Sequence, residues 1–265
     1  MSTEPTVSEL FDLRGRTALI SGAGGWLGSA MSRALAEAGA NVITTSRDLD
    51  RARECAAALP SAEGQSHHGV ALDHLDEASI ESGFSVALSL AGKIDILVNN
   101  GHAANASDLT SVTGEEFNRS LANATGYFLL ARKLHDHAVA CGGGASIVMI
   151  GSMYGVVGSY PEAYEGAVPA SPVAYHTLKG GIVHMTRHLA VYWAKDGVRV
   201  NCLSPGPFPG PAANATMVER LTAKSPMGRM GRPEELKGAL VFLASQASSY
   251  VTGQNLLVDG GWTAW

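Results

Sequence analysis

The sequence has few charged residues and few cysteines, and it lacks any long hydrophobic run. Charged residues make up 16% of the chain and the net charge is −5, so no excess of positive charge favours nucleic acid or an anionic membrane. No apolar run reaches the roughly 18 residues of a membrane span, and the acidic first residues are unlike a signal peptide. The three cysteines are too scattered for a disulfide framework. We therefore expect a cytoplasmic protein without nucleic-acid or membrane partners.

Apolar residues and glycine are abundant instead. Apolar residues make up 46% of the chain, enough for a sizeable core, and the 31 glycines indicate many tight turns or close backbone approaches. Short apolar runs such as Thr17–Ile20 and Ala145–Ile150 alternate with amphipathic segments, which is typical of parallel strands covered by helices on both faces. We expect one doubly wound α/β domain, a Rossmann fold, over residues 1–265, with a flexible N-terminus over residues 1–11.

A glycine-rich turn, residues 21–28 (SGAGGWLG), directly follows the first predicted strand. Such a turn lets backbone N–H groups approach a pyrophosphate at the positive end of the next helix. Glycine-rich turns also occur for steric reasons alone. The position between the first strand and the first helix nevertheless favours nucleotide binding.

Tyr175 and Lys179 are four residues apart on a predicted helix, so both side chains face the same way. A free phenol has a pKa of about 10 and is a poor base at neutral pH, but a nearby cation in a dry pocket can favour the phenolate. The same spacing also arises by chance in an ordinary surface tyrosine and lysine. The pair is informative only together with other motifs.

The combination of motifs resembles the short-chain dehydrogenase/reductase family. The glycine-rich turn is followed by residues 99–101 (NNG) after the fourth predicted strand, 151–152 (GS) after the fifth and 205–206 (PG) after the sixth. The resemblance covers residues 12–262. It implies reversible hydride transfer between a nicotinamide cofactor and a secondary alcohol or its ketone.

The resemblance implies roles for four catalytic residues. Tyr175 is expected to act as the general acid/base, and Ser152 to bind the substrate oxygen. Lys179 is expected to lower the pKa of the tyrosine and to hold the nicotinamide ribose. Asn123 matches the family's asparagine that supports a water relay to the lysine. No metal ion is expected.

The resemblance also implies a set of cofactor contacts, in which Asp73 reads the adenine. The expected cofactor-binding residues are Gly22, Gly24, Trp26, Leu27, Gly28, Ser46, Arg47, Asp73, His74, Asn99, Gly101, Tyr175, Lys179, Pro205, Gly206 and Phe208. Two positions depart from the family pattern. Trp26 replaces a glycine, so it has less backbone freedom or covers the pyrophosphate, and His102 lies near the active-site mouth.

The end of the second predicted strand bears on the choice between NADP and NAD. No acidic residue stands there to bind a ribose 2′-hydroxyl, whereas Arg47 can bind a 2′-phosphate and Ser46 adds a hydroxyl. Arg47 has an alternative role as a solvated charge at a helix start, and Asp48 could serve NAD. We expect NADP.

Residues 153–174 form an insertion between two expected catalytic residues, longer than in compact family members. Its polar side chains include Tyr154, Tyr160, Glu162, Tyr164 and Glu165. It resembles the insertions of sugar and polyol dehydrogenases, such as gluconate 5-dehydrogenase. We expect a sugar, sugar acid or polyol as substrate, unless the insertion is a surface excursion or a subunit contact. The expected substrate contacts are His102, Ser152, Tyr154, Tyr164 and Tyr175.

Other interpretations stay open at this point. They are an acyl or steroid ketone as substrate, a non-redox lyase or epimerase reaction on the same scaffold, and a non-catalytic nucleotide-binding protein. The intact catalytic set argues against the last two. His184 and His188 have the spacing of a zinc pair, but packing or a subunit contact explains them better. The resemblance implies a homotetramer or dimer through helices at about 114–137 and 175–194.

Overall fold

Within residues 4–104 and 107–265, which the computed structural model describes, seven strands form one parallel sheet in the order β3-β2-β1-β4-β5-β6-β7. The strands are β1 (Thr17–Ser21), β2 (Asn41–Ser46), β3 (His67–Ala71), β4 (Ile96–Asn99), β5 (Ala145–Ile150), β6 (Val198–Pro205) and β7 (Asn255–Val258). The order runs outward from β1 in both directions. The sheet is therefore doubly wound, which confirms the predicted fold.

Helices pack on both faces of this sheet. They are α1 (Val7–Leu10), α2 (Trp26–Glu37), α3 (Leu49–Ala57), α4 (Glu77–Ala91), α5 (Gly114–Ala140), α6 (Pro161–Tyr164), α7 (Val173–Trp193), α8 (Ala215–Thr222) and α9 (Lys237–Ala244), with 3₁₀ turns at Met153–Gly155, Ala194–Asp196, Pro233–Leu236 and Gln246–Ser248. None of the helices in the described ranges is long and apolar enough to cross a membrane.

The strand residues alternate between two hydrophobic clusters, one on each face of the sheet. Leu19 of β1 and Ile147 of β5 belong to the cluster under α4, α5 and α7, whereas the next residues, Ile20 and Val148, belong to the cluster under α2 and α9. Successive side chains of a strand point to opposite faces. Because both faces are covered, every residue of β1 and β5 is buried and both strands consist mostly of apolar residues.

The N-terminal segment contains a short helix where the sequence led us to expect flexibility over residues 1–11. Thr6 Oγ1 accepts a hydrogen bond from Glu9 N (3.3 Å), and Glu9 Oε2 accepts one from Thr6 N (2.7 Å). This reciprocal pair is a capping box that satisfies N–H groups at the start of α1. Residues 7–10 are therefore helical, while residues 1–3 lie outside the described residues and the expected flexibility stays a prediction.

Asp95 holds together the sheet edge opposite the carboxyl ends of the strands. Its carboxylate accepts a hydrogen bond from Thr17 N (3.0 Å) and pairs with Lys93 Nζ (2.8 Å) and Arg16 Nη1 (3.2 Å). Burial raises the pKa of Asp95, but the contacts with Lys93, Thr17 N and Arg16 together hold it below its ordinary value. A cavity of about 590 Å³ lies beside this carboxylate.

Asp95→Asn should lower the free energy of unfolding at pH 7 by about 2 kcal/mol, because charge-assisted hydrogen bonds are lost. A depressed folded-state pKa stabilises the fold above the unfolded-state value of about 4, and this stabilisation is lost as the pH falls through the folded-state value. The difference in the free energy of unfolding between the variant and the wild type, measured by urea denaturation, should therefore be largest at pH 7 and smaller at pH 3.5. Equal differences at both pH values would contradict this account. Asp50→Asn, at the exposed pair with Arg53, is the control and should change stability by less than about 0.5 kcal/mol.

Candidate active site

A cavity of about 450 Å³ opens at the carboxyl ends of the central strands. It lies where the strand order reverses, which is where doubly wound sheets bind ligands. The lining residues are Gly22, Gly25, Trp26, Leu27, Gly28, Asn100, His102, Ile150, Gly151, Ser152, Tyr175, Lys179, Pro205, Gly206 and Phe208. The cavity thereby joins the glycine-rich turn to three expected catalytic side chains that are distant in sequence.

The glycine-rich turn has a geometry that suits a dinucleotide phosphate. Gly22 has a φ of +65°, a left-handed value that favours glycine, and a Cβ on Gly28 would overlap the carbonyl oxygen of Gly22. Helix α2 begins directly after Gly25, and no side chain within the described ranges caps it. Its first N–H groups are therefore left for an anion. The turn and the cavity together fit a nicotinamide dinucleotide.

Trp26 occupies the family's glycine position without backbone strain. It is the first residue of α2, and no positive φ occurs at any non-glycine residue that the structure describes. Its indole is 48% exposed and lies beside Gly210. This position does not require a positive φ, so the smaller backbone freedom of tryptophan causes no strain. The Trp26 side chain lines the cavity.

The two asparagines at the end of β4 point to different places, and the cofactor contact expected of Asn99 stays a prediction. Asn99 does not line the cavity but is buried in the core, where its Nδ2 donates to Tyr127 O (2.9 Å). Asn100 lines the cavity instead, and its Nδ2 donates to Gly22 O (2.9 Å). Neighbouring side chains at a strand end point in opposite directions, which explains the exchange. Gly101 lies beside the turn, close enough for its Cα to collide with a Cβ on Gly22.

Asn123 on α5 connects three segments around the cavity. Its Oδ1 accepts hydrogen bonds from Ala103 N (2.8 Å) and His74 Nε2 (2.8 Å). Its Nδ2 donates to Ser120 O (2.8 Å) and Ala103 O (3.3 Å). No hydrogen bond joins it to Lys179 within the part of the chain described, so the water relay to the lysine stays a prediction.

Ser152, Tyr175 and Lys179 meet in the cavity. Ser152 directly follows Gly151 at the end of β5, and its hydroxyl lies close enough to the Tyr175 phenol to lower the pKa of that phenol. Lys179 lies one helical turn after Tyr175 on α7, and its Nζ is 5.6 Å from the centre of the Tyr175 ring. Nζ also donates to Ile150 O (2.8 Å). The arrangement can hold a hydroxyl or carbonyl oxygen near Ser152 and Tyr175, with a buried cation nearby.

Burial shifts both titratable groups toward their uncharged forms. It raises the pKa of Tyr175, and the nearby Ser152 hydroxyl only partly offsets this. It lowers the pKa of Lys179 to about 8. Lys179 is not among the causes of the shift and its ammonium is bonded to Ile150 O, so the expectation that it lowers the pKa of Tyr175 stays a prediction.

His102 brings an imidazole to the cavity wall. Its ring meets the Tyr175 ring edge to face, with centroids 5.4 Å apart. Burial, the Lys179 cation and His74 together lower the pKa of His102 to about 4. The imidazole is therefore neutral at physiological pH.

The insertion places a pair of hydroxyl groups next to the cavity but outside its lining. Tyr154 Oη and Tyr164 Oη are 2.6 Å apart. The Tyr154 ring stacks on His176, the residue after Tyr175, with centroids 4.5 Å apart. The Tyr164 hydroxyl is close enough to Tyr175 to contribute to raising its pKa. The expected substrate contacts of the insertion therefore lie near Tyr175.

The carboxylates of the insertion do not line the cavity. Glu162 pairs with Lys224 Nζ (2.8 Å), and Arg220 donates to the carbonyl oxygens of Glu162 (3.2 Å) and Glu165 (2.6 Å). An apolar cluster that joins the insertion to α8 and to the C-terminal segment contains Met153, Ala163, Tyr164, Leu221 and Trp262. The Glu162 carboxylate is therefore used to hold the insertion against α8.

Two arginines stand near the end of β2. Arg47 lies in the loop after the strand, and Arg51, which was not among the expected cofactor contacts, lies in the first turn of α3. Arg47 is exposed and pairs with none of the residues described. The Asp48 carboxylate caps α3, accepting hydrogen bonds from Asp50 N (2.9 Å) and Arg51 N (3.2 Å). The Arg51 Nε lies 3.3 Å from where a Cβ on Gly24 would stand. Arg51 stands four residues after Arg47 in the sequence, and this spacing could have indicated a second arginine near the glycine-rich turn.

Ser46 and Asp73 stand on the same sheet edge as the cavity but outside its lining. Ser46 ends β2, and its Oγ accepts a hydrogen bond from Asp48 N (3.3 Å). Asp73 follows β3, and its Oδ1 accepts one from Leu75 N (3.0 Å). Both side chains are therefore held by backbone N–H groups. They lie at the ends of β2 and β3, on the side of the sheet away from Ser152.

Comparison with known proteins assigns the chain to a group of dehydrogenases. A family model described as enoyl-(acyl carrier protein) reductase matches residues 22–263. Galactitol 2-dehydrogenase (L-tagatose-forming) of Cereibacter sphaeroides is 35% identical over 266 residues, covering 97% of this chain and 98% of that protein. D-threitol dehydrogenase of Mycolicibacterium smegmatis is 32% identical over 265 residues, covering 96% and 95%. 3β-Hydroxysteroid dehydrogenase 1 of Eggerthella lenta is 34% identical over 265 residues, covering 95% of each.

Two solved structures of the same fold contain nicotinamide cofactors, one NADP and the other NAD⁺. Gluconate 5-dehydrogenase from Burkholderia cenocepacia, in complex with NADP and tartrate, has a TM-score of 0.86 at 30% identity and covers 98% of this chain and 100% of its own. A short-chain dehydrogenase from Leptospira borgpetersenii with bound NAD⁺ has a TM-score of 0.82 at 31% identity and covers 99% and 98%. The site thus belongs to a scaffold that binds nicotinamide cofactors.

Gly28→Ala should weaken the binding of NADPH and NADH by about tenfold or more and lower the melting temperature, because the added Cβ displaces the Gly22 carbonyl group. Titration of cofactor fluorescence and thermal melting measure the two effects. Gly181→Ala, in open space on α7, is the control: it should leave binding unchanged and stabilise the fold by up to about 1 kcal/mol. Unchanged cofactor affinity in Gly28→Ala would show that the turn does not hold the cofactor.

Proposed function

The chain belongs to the short-chain dehydrogenase/reductase family, and from this premise we propose that it interconverts a secondary hydroxyl group of a sugar, sugar acid or polyol with the ketone, using NADP. The coarser activity, hydride transfer between a nicotinamide cofactor and a secondary alcohol or ketone, follows from the family and its dehydrogenase relatives. The observation that carries the proposal is the convergence of Ser152, Tyr175 and Lys179 in one cavity with the glycine-rich turn.

The proposed mechanism gives each of these side chains one task. Tyr175 Oη takes the proton of the substrate hydroxyl during oxidation and returns it during reduction. Ser152 Oγ donates a hydrogen bond to the same substrate oxygen and stabilises the charge that develops there. The nicotinamide ring, when bound, accepts or supplies the hydride. The buried Lys179 ammonium favours the tyrosinate. Asn123, the fourth expected catalytic residue, positions the segment that carries His102.

In this proposal residues at the carboxyl ends of the strands from β2 to β6 would hold the cofactor. The glycine-rich turn and the first N–H groups of α2 hold the pyrophosphate, with Asn100 and Gly101 beside them. Asp73 and His74 stand at the adenine end. Pro205, Gly206 and Phe208 line the nicotinamide end.

The loop after β2 supports NADP over NAD. Arg47 is exposed and unpaired among the described side chains, so its guanidinium is available for a 2′-phosphate. Asp48, the acidic residue that could serve a ribose 2′-hydroxyl, is already used as the cap of α3. Arg51 adds a second positive charge beside Gly24.

The polar groups around the cavity support a polyhydroxylated substrate. Hydroxyl and imidazole groups, with no carboxylate among the cavity-lining residues, suit uncharged hydroxyl groups. The proposed substrate contacts are His102, Ser152, Tyr154, Tyr164 and Tyr175. The insertion, residues 153–174, carries the two tyrosines beside the cavity. The relatives named for galactitol and D-threitol agree with this class.

Assembly and location complete the proposal. We infer a single domain that forms a homotetramer or dimer through α5 and α7, supported by the exposed apolar side chains of Val139, Val191 and Tyr192 on these helices. All three cysteines are free thiols, which supports a cytoplasmic location.

A substrate panel tests the function. Sugars, polyols, hydroxy acids, a steroid and an enoyl thioester are offered with NADP or NADPH, and the absorbance of the reduced cofactor is followed. Turnover should be highest on a polyhydroxylated compound and should fall by about a hundredfold or more in Tyr175→Phe, because the transferable proton is lost. Cofactor affinity should stay nearly intact in that variant. Efficient turnover of apolar ketones alone, or a Tyr175→Phe variant with more than about a hundredth of the wild-type kcat, would contradict the proposal.

Arg47→Ala should weaken NADPH binding by about tenfold to a hundredfold and leave NADH binding unchanged, because the lost contact is a charge-assisted hydrogen bond to the 2′-phosphate. Fluorescence titration with both cofactors gives the ratio of dissociation constants. Arg53→Ala, an exposed arginine of α3 paired with Asp50, is the matched control and should not change the ratio. If the ratio is the same in Arg47→Ala and wild type, Arg47 does not determine cofactor preference.

A further inference from the structure

His102 is held at the cavity wall by its two chain neighbours. On one side Gly101 N donates to Ser21 Oγ (2.8 Å). On the other side Ala103 N donates to Asn123 Oδ1 (2.8 Å) and Ala103 O accepts from Asn123 Nδ2 (3.3 Å). The backbone at residue 102 is therefore anchored on both sides. Its ring occupies a defined place rather than the tip of a free loop.

The imidazole lies directly beside the reacting centre. Its ring contacts the Tyr175 ring, and the same cavity is lined by Ser152. His102 makes no hydrogen bond with any residue in the described ranges, so both of its ring nitrogens are open to a ligand. A neutral imidazole offers one N–H donor and one acceptor nitrogen, and a hydroxyl group can pair with either of them, as the acceptor or as the donor.

We propose that His102 binds the hydroxyl group on the carbon next to the reacting carbon, and that it thereby selects vicinal diols. The inference rests on the proposed function, because the reacting hydroxyl is the one placed near Tyr175 and Ser152. Since the two rings touch, the imidazole reaches only groups close to the reacting carbon. Lys179 and His74 nearby disfavour a second positive charge, so an uncharged hydroxyl fits this position better than a carboxylate that requires a cation.

The test compares 2,3-butanediol with 2-butanol, which differ by one hydroxyl group next to the reacting carbon. Wild-type enzyme, His102→Phe and His102→Gln are assayed with NADP. The wild type should prefer the diol by about tenfold or more in kcat/KM, the size of one hydrogen bond. His102→Phe keeps a ring beside Tyr175 and should lose this preference, because kcat/KM falls more on the diol than on 2-butanol. His102→Gln keeps a donor and an acceptor and should retain most of the preference.

Several outcomes would overturn the inference. An unchanged diol preference in His102→Phe would overturn it. So would an equal loss of kcat/KM on both alcohols together with weaker NADPH binding, because the imidazole would then contact the cofactor. If His102→Phe does not fold, a wild-type preference near one still decides against the inference. The proposed function fails separately, when the wild type oxidises 2-butanol but neither 2,3-butanediol nor any polyol. Diol oxidation without dependence on His102 leaves the function standing and removes only the inference.

Discussion

The contact between the glycine-rich turn and the end of β4 sets the geometry of the whole site. Asn100 Nδ2 donates to the carbonyl oxygens of Ser21 (3.1 Å) and Gly22 (2.9 Å), and Ser21 Oγ accepts the N–H groups of Asn100 (3.0 Å) and Gly101 (2.8 Å). The approach is so close that a Cβ on Gly22 would meet the Cα of Gly101. Because β1 and β4 are neighbours in the sheet, this contact positions the start of α2 and the segment after β4 as one unit.

The electrostatics of the cavity favour uncharged groups. Burial raises the pKa of Tyr175, lowers that of Lys179 to about 8 and, with Lys179 and His74, lowers that of His102 to about 4. The carboxylates of the insertion lie outside the lining, and Glu162 is paired with Lys224. The cavity thus has little fixed charge beyond Lys179. Proton transfer at Tyr175 then depends strongly on hydrogen bonds to the oxygen that it serves, because few other charges compete in the low dielectric.

Features that depend on local spacing could be predicted from the sequence, whereas those that depend on distant partners could not. The doubly wound sheet followed from continuous apolar runs, and the pairing of Tyr175 with Lys179 followed from the helical period. Whether Asn99 or Asn100 faces the cavity depends on which way the side chains point at the end of β4. The position of the two residues in the motif does not determine this direction. The hydrogen bond from His74 to Asn123 joins residues 49 positions apart, so no local pattern indicates it. The raised pKa of Tyr175 required its burial to be known.

The insertion shows how recognition is distributed over the chain. Its ends are set by β5 and α7, but its middle is held by α8, through Glu162 with Lys224 and through the Arg220 guanidinium. Trp262 near the C-terminus completes the apolar cluster beneath it. The hydroxyl pair of the insertion therefore depends on α8 and on the C-terminal segment, neither of which contains the proton-transfer group. Substitutions in α8 can consequently shift the hydroxyl pair relative to Tyr175 while the catalytic side chains, held by the sheet and by α7, stay where they are.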